Sequence, residues 1–211
     1  MKKLDRSITI EPACLSDYCY KTKNWDAVTS EDKEQIRNGL FDMQGRCCAY
    51  CEGPLDVLGQ HIEHFRRKSH HPYLTFQWSN LFWSCDQRDS CGHFKDHGAG
   101  VYSPNDIVNP CLEDPDHFFK FRSNGTIDIR EGISAAEAHR AKETLRVFNL
   151  DQKFGRLRTM RKCAALPYIQ AVDDILGLAP PDRTEFIDAE IQAAENLPFS
   201  SVIRHLFQAA I

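Results

Sequence analysis

The apolar and polar positions divide the chain into three stretches of different period. Residues 1–29 carry few periodic features and are interrupted by Pro12. A helix is expected after Ser30, because Glu31, Asp32 and Glu34 put negative charge in a first turn, where the helix dipole favours it. Ile36 and Leu40 then fall four apart on one face. Residues 45–130 hold no sustained helical period and are rich in Cys, His, Pro, Gly and aromatics, which predicts short strands and at most one short helix. Within them the run 118–122, a Ser123-Asn124-Gly125 turn and the run 126–129 read as a β-hairpin. From Ser134 the period becomes helical. Ser134 with Glu137 is a capping-box pattern, and Ala138, Ala141, Leu145 and Phe148 follow at helical spacing. A second helix is expected over 152–176 with a bend at Pro167, and a third capped by Asp182 with Glu185. A fourth is expected from Pro198, carrying Val202, Ile203, Leu206 and Phe207. The pattern is α+β, without internal repeats.

Composition narrows the class. The 211 residues suffice for one sizeable domain, or a small domain with a helical extension. Hydrophobic residues at 42% and charged residues at 27% are ordinary for a soluble globular chain. No apolar run is long enough to span a membrane. The basic N-terminus lacks an apolar stretch behind it, so no secretory signal is expected and the location predicted is cytoplasmic. Nine cysteines in a reducing compartment are not expected to form disulfides. Five of them lie between residues 47 and 91, beside six of the nine histidines, which points to metal binding.

The net charge of −4 does not mark a nucleic-acid binder, but its distribution is uneven. Residues 140–162 carry eight basic side chains (Arg140, Lys142, Arg146, Lys153, Arg156, Arg158, Arg161, Lys162) against Glu143 and Asp151. Residues 173–195 carry seven acidic side chains against Arg183 alone. Two contact surfaces and two solvated helix faces are both open readings.

Cys48-Ala49-Tyr50-Cys51 is a C-x₂-C knuckle, whose gap lets both sulfurs point the same way. Cys85 and Cys91 supply a second pair and complete a four-thiolate site for structural Zn²⁺. Cys47 is an alternative to Cys48, and buried free thiols are the plain reading of all five. Between the pairs, Glu63 and His64 are adjacent at what reads as a strand end. Phosphodiester hydrolysis has a use for both. A carboxylate is a hard ligand for Mg²⁺ or Mn²⁺, and a neutral imidazole suits a general base that takes a proton from water.

These residues resemble a known family. Cys48-x-x-Cys51, Ile62-Glu63-His64, Ser79-Asn80-Leu81, and Cys85 and Cys91 with Lys95 are similar to the zinc-knuckle HNH endonuclease pattern. Cys48-Ala49-Tyr50-Cys51-Glu52, Ile62-Glu63-His64-Phe65-Arg66-Arg67-Lys68-Ser69, Trp78-Ser79-Asn80-Leu81 and Ser90-Cys91-Gly92-His93-Phe94-Lys95 resemble PtuB-type nucleases of Septu and retron-linked anti-phage defence. The resemblance covers roughly residues 1–130 by motif, and the helical tail only in character.

It implies a zinc-knuckle ββα-metal (HNH) nuclease module over 47–130, an N-terminal segment with one helix over 1–46, and a helical C-terminal extension over 131–211. His64 would be the general base, Glu63 a ligand of the catalytic ion, and Asn80 the residue that ties the loop and orients the base. The pattern usually has His or Asn directly after the last knuckle cysteine, where this chain has Gly92. His93 is then the first candidate for the second catalytic ligand and His97 the second, one helical turn apart. Arg66, Arg67, Lys68 and Lys95 are candidates for phosphate contact, and a solvated charge run is the alternative for the first three. His61 reads as a plain strand histidine, with a supporting role behind a ligand as the alternative. Trp78, Trp83, Phe76 and Phe82 read as core.

The family implies partners as well: a PtuA-type ATPase and, in the retron form, a reverse transcriptase and its msDNA. DNA is the default substrate and RNA the other. The opposing function is a non-catalytic zinc-knuckle module that binds nucleic acid or protein. The cysteine pairs serve either function, whereas Glu63, His64, Asn80 and Lys95 serve only the nuclease. The acidic run 173–195 is expected to help dock a partner.

Overall fold

The structure is a computed structural model that describes residues 1–209, the side chain of Asp173 excepted. Asp173, the first residue of the acidic run, therefore lies partly outside the described residues. After three short 3-10 turns the chain forms α1 (Ser30–Gln44), the single turn α2 (Leu55–Leu58), β1 (His61–His64), β2 (Leu81–Ser84) and α3 (Cys91–His97). Then come α4 (Pro115–Phe118), β3 (Phe119–Phe121), β4 (Ile127–Ile129), α5 (Ala135–Val147), α6 (Arg156–Leu176), α7 (Pro180–Ala194) and α8 (Ser200–Gln208). No described helix is long and apolar enough to cross a membrane.

The first helix begins one residue before the expected position, because the Thr29 hydroxyl accepts the Asp32 N–H at 3.1 Å. Its last residue, Gln44, is buried, and its side-chain amide pairs with the backbone of β2. Its amide donates to the Trp83 carbonyl at 2.9 Å, and its Oε1 accepts the Trp83 N–H at 3.0 Å. β1 and β2 pair antiparallel, with His61 opposite Ser84 and His64 opposite Leu81. The later hairpin also forms, Phe119 opposite Ile129. Phe118 belongs to α4, not to the strand, because Asp114 caps a turn that opens on Pro115. Gly125 closes the hairpin turn at φ +89°, and a Cβ there would meet the Arg158 carbonyl oxygen at 2.0 Å.

The capping box of Ser134 and Glu137 forms as expected and opens α5. Three other helix starts differ from expectation. α6 begins at Arg156 because residues 152–155 close a separate turn, Gly155 N–H to Gln152 carbonyl at 2.9 Å. α7 begins at Pro180, and Asp182 lies inside its first turn without capping it. Proline at the head of a helix lacks the N–H that a cap would satisfy. α8 begins at Ser200, just past Pro198, because Phe199 is left-handed at φ +59°. Its first turn is capped from a distance: the Glu52 carboxylate accepts the Ser201 N–H at 2.9 Å and the Ser200 hydroxyl at 3.2 Å.

One apolar cluster runs from Met1 and Leu4 through Ile36, Leu40 and Phe82 to Phe148 and Phe207. Tyr50 of the knuckle stacks on Phe148 with ring centroids 4.1 Å apart, so α5 is packed against the knuckle. Trp78, Trp83, Phe76 and Phe82 are all buried in this core.

The five arginines of the basic stripe are engaged within the chain, whereas Lys142, Lys153 and Lys162 are exposed. Arg140 grips Glu113 with both terminal nitrogens, at 2.5 and 2.6 Å. Arg146 pairs with Glu143, Arg156 with Asp89, and Arg158 with Asp151. Arg161 is buried and donates to the carbonyls of Gly125 and Leu150. These arginines fasten α5 and α6 onto the rest of the chain.

Candidate metal centres and active site

The knuckle is built by backbone before any ion is considered. Cys48 N–H bonds to the Gly53 carbonyl at 2.9 Å, Ala49 N–H to Trp83 at 3.0 Å, and the Gly53 N–H points at the Cys51 sulfur at 3.3 Å. Cys85 follows the end of β2, and Cys91 opens α3 in the left-handed region at φ +57°. This brings the sulfurs of Cys48, Cys51, Cys85 and Cys91 within 4.8 Å of one another, all buried. The group does not include Cys47, whose thiol is pushed up to about 11 by burial. Among the described residues no cysteine is in a disulfide. Four converging buried sulfurs fit a metal ion such as zinc.

Strand alternation decides what lies beside this centre. His61 and Glu63 share one face of β1, and Ile62 and His64 the other. Glu63 is 3% exposed and sits between Lys95 Nζ, 2.7 Å from Oε1, and His61 Nε2, 3.2 Å from Oε2. Burial pushes its carboxyl up, but Lys95 and His61 outweigh that and hold it at about 2. Lys95 is fully buried and also contacts the Asp96 carboxylate. Its charge is directed inward, on Glu63 and Asp96, not at the surface.

Gly92 is where the helix passes this carboxylate. A Cβ at that position would stand 2.4 Å from Glu63 Oε2 and 2.9 Å from His61 Nε2. The glycine is therefore what allows Glu63 and His61 to meet. His93 Nε2 bonds Asp86 Oδ1 at 2.5 Å, and its ring lies 4.2 Å from that of His61. One atom each from His61, Asp86 and His93 lie within 4.8 Å of one another. His97 is exposed, 6.3 Å ring to ring from His93, and stands outside this group.

His64 is 4% exposed. Its Nε2 lies 2.9 Å from the Thr75 carbonyl oxygen. A carbonyl only accepts, so Nε2 carries the proton and Nδ1 keeps its lone pair. Burial lowers the ring to about 4, leaving it neutral at pH 7. Trp25, from the N-terminal segment, meets the ring edge-on at 4.5 Å.

Asn80 ties together both ends of the loop between the strands. Its Oδ1 accepts the Arg66 N–H at 2.8 Å, and its amide donates to the carbonyls of Arg66 and Leu74 at 3.1 and 3.2 Å. Leu74 precedes the Thr75 carbonyl that holds His64. Asn80→Ala is expected to lower stability by about 2–4 kcal/mol through buried backbone groups left unpaired. It should also slow cleavage by loosening His64. Denaturant unfolding and a cleavage assay on the folded variant would check both.

Of the expected phosphate contacts, Arg66 donates to Asn105 Oδ1 at 2.8 Å, and Arg67 donates to the carbonyls of Lys95 and Gly100. Lys68 is exposed. Three participants were not singled out from sequence: Asp86, Trp25 and the Thr75 carbonyl. No spacing rule marks them. For His61 the signal was present, since i and i+2 on a strand share a face.

No family model matches the chain. Over 131 residues it is 29% identical to Septu protein PtuB of Bacillus mycoides (strain KBAB4), covering 49% of this chain and 44% of that protein. Over 142 residues it is 27% identical to "Retron Vc95 putative HNH endonuclease" of Vibrio cholerae serotype O1 biovar El Tor, covering 65% and 67%. Over 149 residues it is 28% identical to Septu protein PtuB of Bacillus thuringiensis, covering 70% and 52%. The chain thus spans about half the length of the two Septu proteins.

Proposed function

We propose, from the premise that this chain is a relative of the PtuB-type HNH defence proteins, that it is a metal-dependent endonuclease cutting nucleic-acid phosphodiester bonds. The observation that carries the reading is the pair on β1: a carboxylate held ionised beside an imidazole held neutral with one nitrogen free to accept. The order β1, β2, α3 around the four cysteines is the one a ββα-metal module requires. His64 takes the proton of the attacking water at Nδ1, and the Thr75 carbonyl stabilises the charged ring that results. Asn80 holds the loop that carries that carbonyl. A divalent ion such as Mg²⁺ or Mn²⁺, held by the histidines beside Glu63, would supply charge stabilisation at the scissile phosphate. One orphaned buried atom, His61 Nδ1, fits such a cation.

The same reading makes the chain the effector of an anti-phage system with a PtuA-type ATPase, joined in a retron setting by a reverse transcriptase and msDNA. α7 supports a docking role. Asp182, Glu185 and Asp188 are exposed and form no ion pair among the described residues. The opposing reading, a non-catalytic zinc knuckle, is favoured by one observation: Lys95 already neutralises Glu63 from the interior.

The deciding experiment incubates the purified chain, alone and with the ATPase, with plasmid DNA and with RNA, in Mg²⁺, Mn²⁺ or EDTA. Metal-dependent cuts with 5′-phosphate and 3′-hydroxyl ends are expected. No cleavage of either substrate with the ATPase and metal present would leave the non-catalytic reading.

A further inference from the structure

We propose that His61, Asp86 and His93 together bind a divalent transition-metal ion, beside Glu63 but not through it. Three elements supply the donors: β1, the loop after β2, and α3. Their ligand atoms lie within 4.8 Å of one another, close enough to share one ion.

The position of His61 is the strongest observation. Its Nε2 faces Glu63 Oε2 at 3.2 Å, and an ionised carboxylate only accepts, so Nε2 carries the ring proton. Nδ1, the ring nitrogen left for an ion, is buried, has no hydrogen-bond partner, and lies 3.9 Å from Asp86 Oδ1. The arrangement carboxylate, imidazole, ion is the one by which an outer carboxylate fixes a ligand's tautomer and raises its basicity. Gly92 is part of the device, because any side chain there would push His61 off Glu63.

The donor set also decides which ion. Two imidazoles and one carboxylate favour Mn²⁺, Co²⁺, Ni²⁺ or Zn²⁺ over Mg²⁺, which takes oxygen ligands and keeps its water. Asp86 is about half exposed, so an ion has an entry path and open positions for water. Binding needs nothing from the nuclease reading. That this ion serves cleavage rests on it.

The test uses the full chain with its four-cysteine centre loaded, titrated with Mn²⁺ and with Mg²⁺ by calorimetry, with Mn²⁺ binding also read by electron paramagnetic resonance. One Mn²⁺ per chain is expected beyond the thiolate centre, bound about tenfold or more tighter than Mg²⁺. His61→Ala, His93→Ala and Asp86→Asn should each weaken Mn²⁺ binding about tenfold or more, and His97→Ala should not. Asp86 is exposed enough that Asp86→Asn should fold as the parent does. Melting temperature and thiolate-bound metal content verify this for each variant. Equal Mn²⁺ affinity in the parent and in folded Asp86→Asn and His93→Ala would overturn the site. If the variants lose Mn²⁺ while the parent cuts neither DNA nor RNA, the nuclease reading fails and the site stands. If the parent cuts and the variants bind Mn²⁺ like the parent, the site fails and the reading stands.

Discussion

Replacing His64 by alanine should lower the rate of phosphodiester cleavage by about 10²–10⁴-fold, the range of a lost general base. The loss should fall on the chemical step and leave substrate binding nearly unchanged, because the ring is buried and points one nitrogen at a backbone carbonyl. Single-turnover cleavage at saturating substrate measures it. A His64→Ala protein that cuts like the parent would exclude His64 as the base.

The same residue sets a pH dependence. Its ring is lowered by burial to about 4 in the folded chain, against 6.5 for an unperturbed histidine. The unfolded chain therefore binds more protons than the folded one between these values. The sign follows: stability is undiminished above pH 6.5 and falls as pH drops toward 4, by about 3 kcal/mol at most from this group. Denaturant unfolding at pH 7 and pH 5 should show a larger acid loss for the parent than for His64→Ala.

Keeping metal from the cluster of Cys48, Cys51, Cys85 and Cys91, which could hold an ion such as zinc, should unfold the knuckle outright. Structural zinc in small modules contributes about 10–16 kcal/mol of apparent binding energy, as much as the whole stability of a typical domain. Here the centre joins the turn after α1, the end of β2 and the first residue of α3, and Tyr50 between the first two sulfurs stacks on Phe148. A strong chelator, or Cys85→Ser alone, should abolish cooperative thermal unfolding and the near-ultraviolet signal of the buried aromatics. Cys19→Ser and Cys163→Ser change exposed thiols and should behave as the parent does. A Cys85→Ser protein with full metal content and an unshifted melting curve would remove the centre's structural role.

Some of this was legible in the residue order, for local reasons. Ser134 and Glu137 cap α5 because both partners lie within one turn, so three positions of sequence contain the whole interaction. Cys48 and Cys51 converge because a two-residue gap is itself a geometric constraint. Asn124-Gly125 turns the later hairpin because glycine tolerates the backbone angle that the turn requires. The helix starts at α7 and α8 were less legible. Prolines open the first, and a carboxylate more than a hundred residues away caps the second.

The basic stripe shows where one-dimensional reading stops. Eight positive charges between residues 140 and 162 look like a surface, but which of them meets an acid is decided by residues such as Glu113 and Asp89, brought near only by folding. Glu63 and His64 began as two adjacent residues with two suitable chemistries, and the order of residues by itself determined that much, together with the four cysteines and the asparagine. The tertiary structure decided their states. It buried His64 against Thr75 so that one nitrogen is committed and the other free, and it set Lys95 and His61 on Glu63 so that the carboxyl stays ionised in the interior. It also turned a plain strand histidine into the centre of a three-residue cluster, because antiparallel pairing carries Asp86 and α3 back to the start of β1. Protonation and ligation depend on distances of a few ångströms in three dimensions, and sequence spacing specifies those only within a single turn or strand.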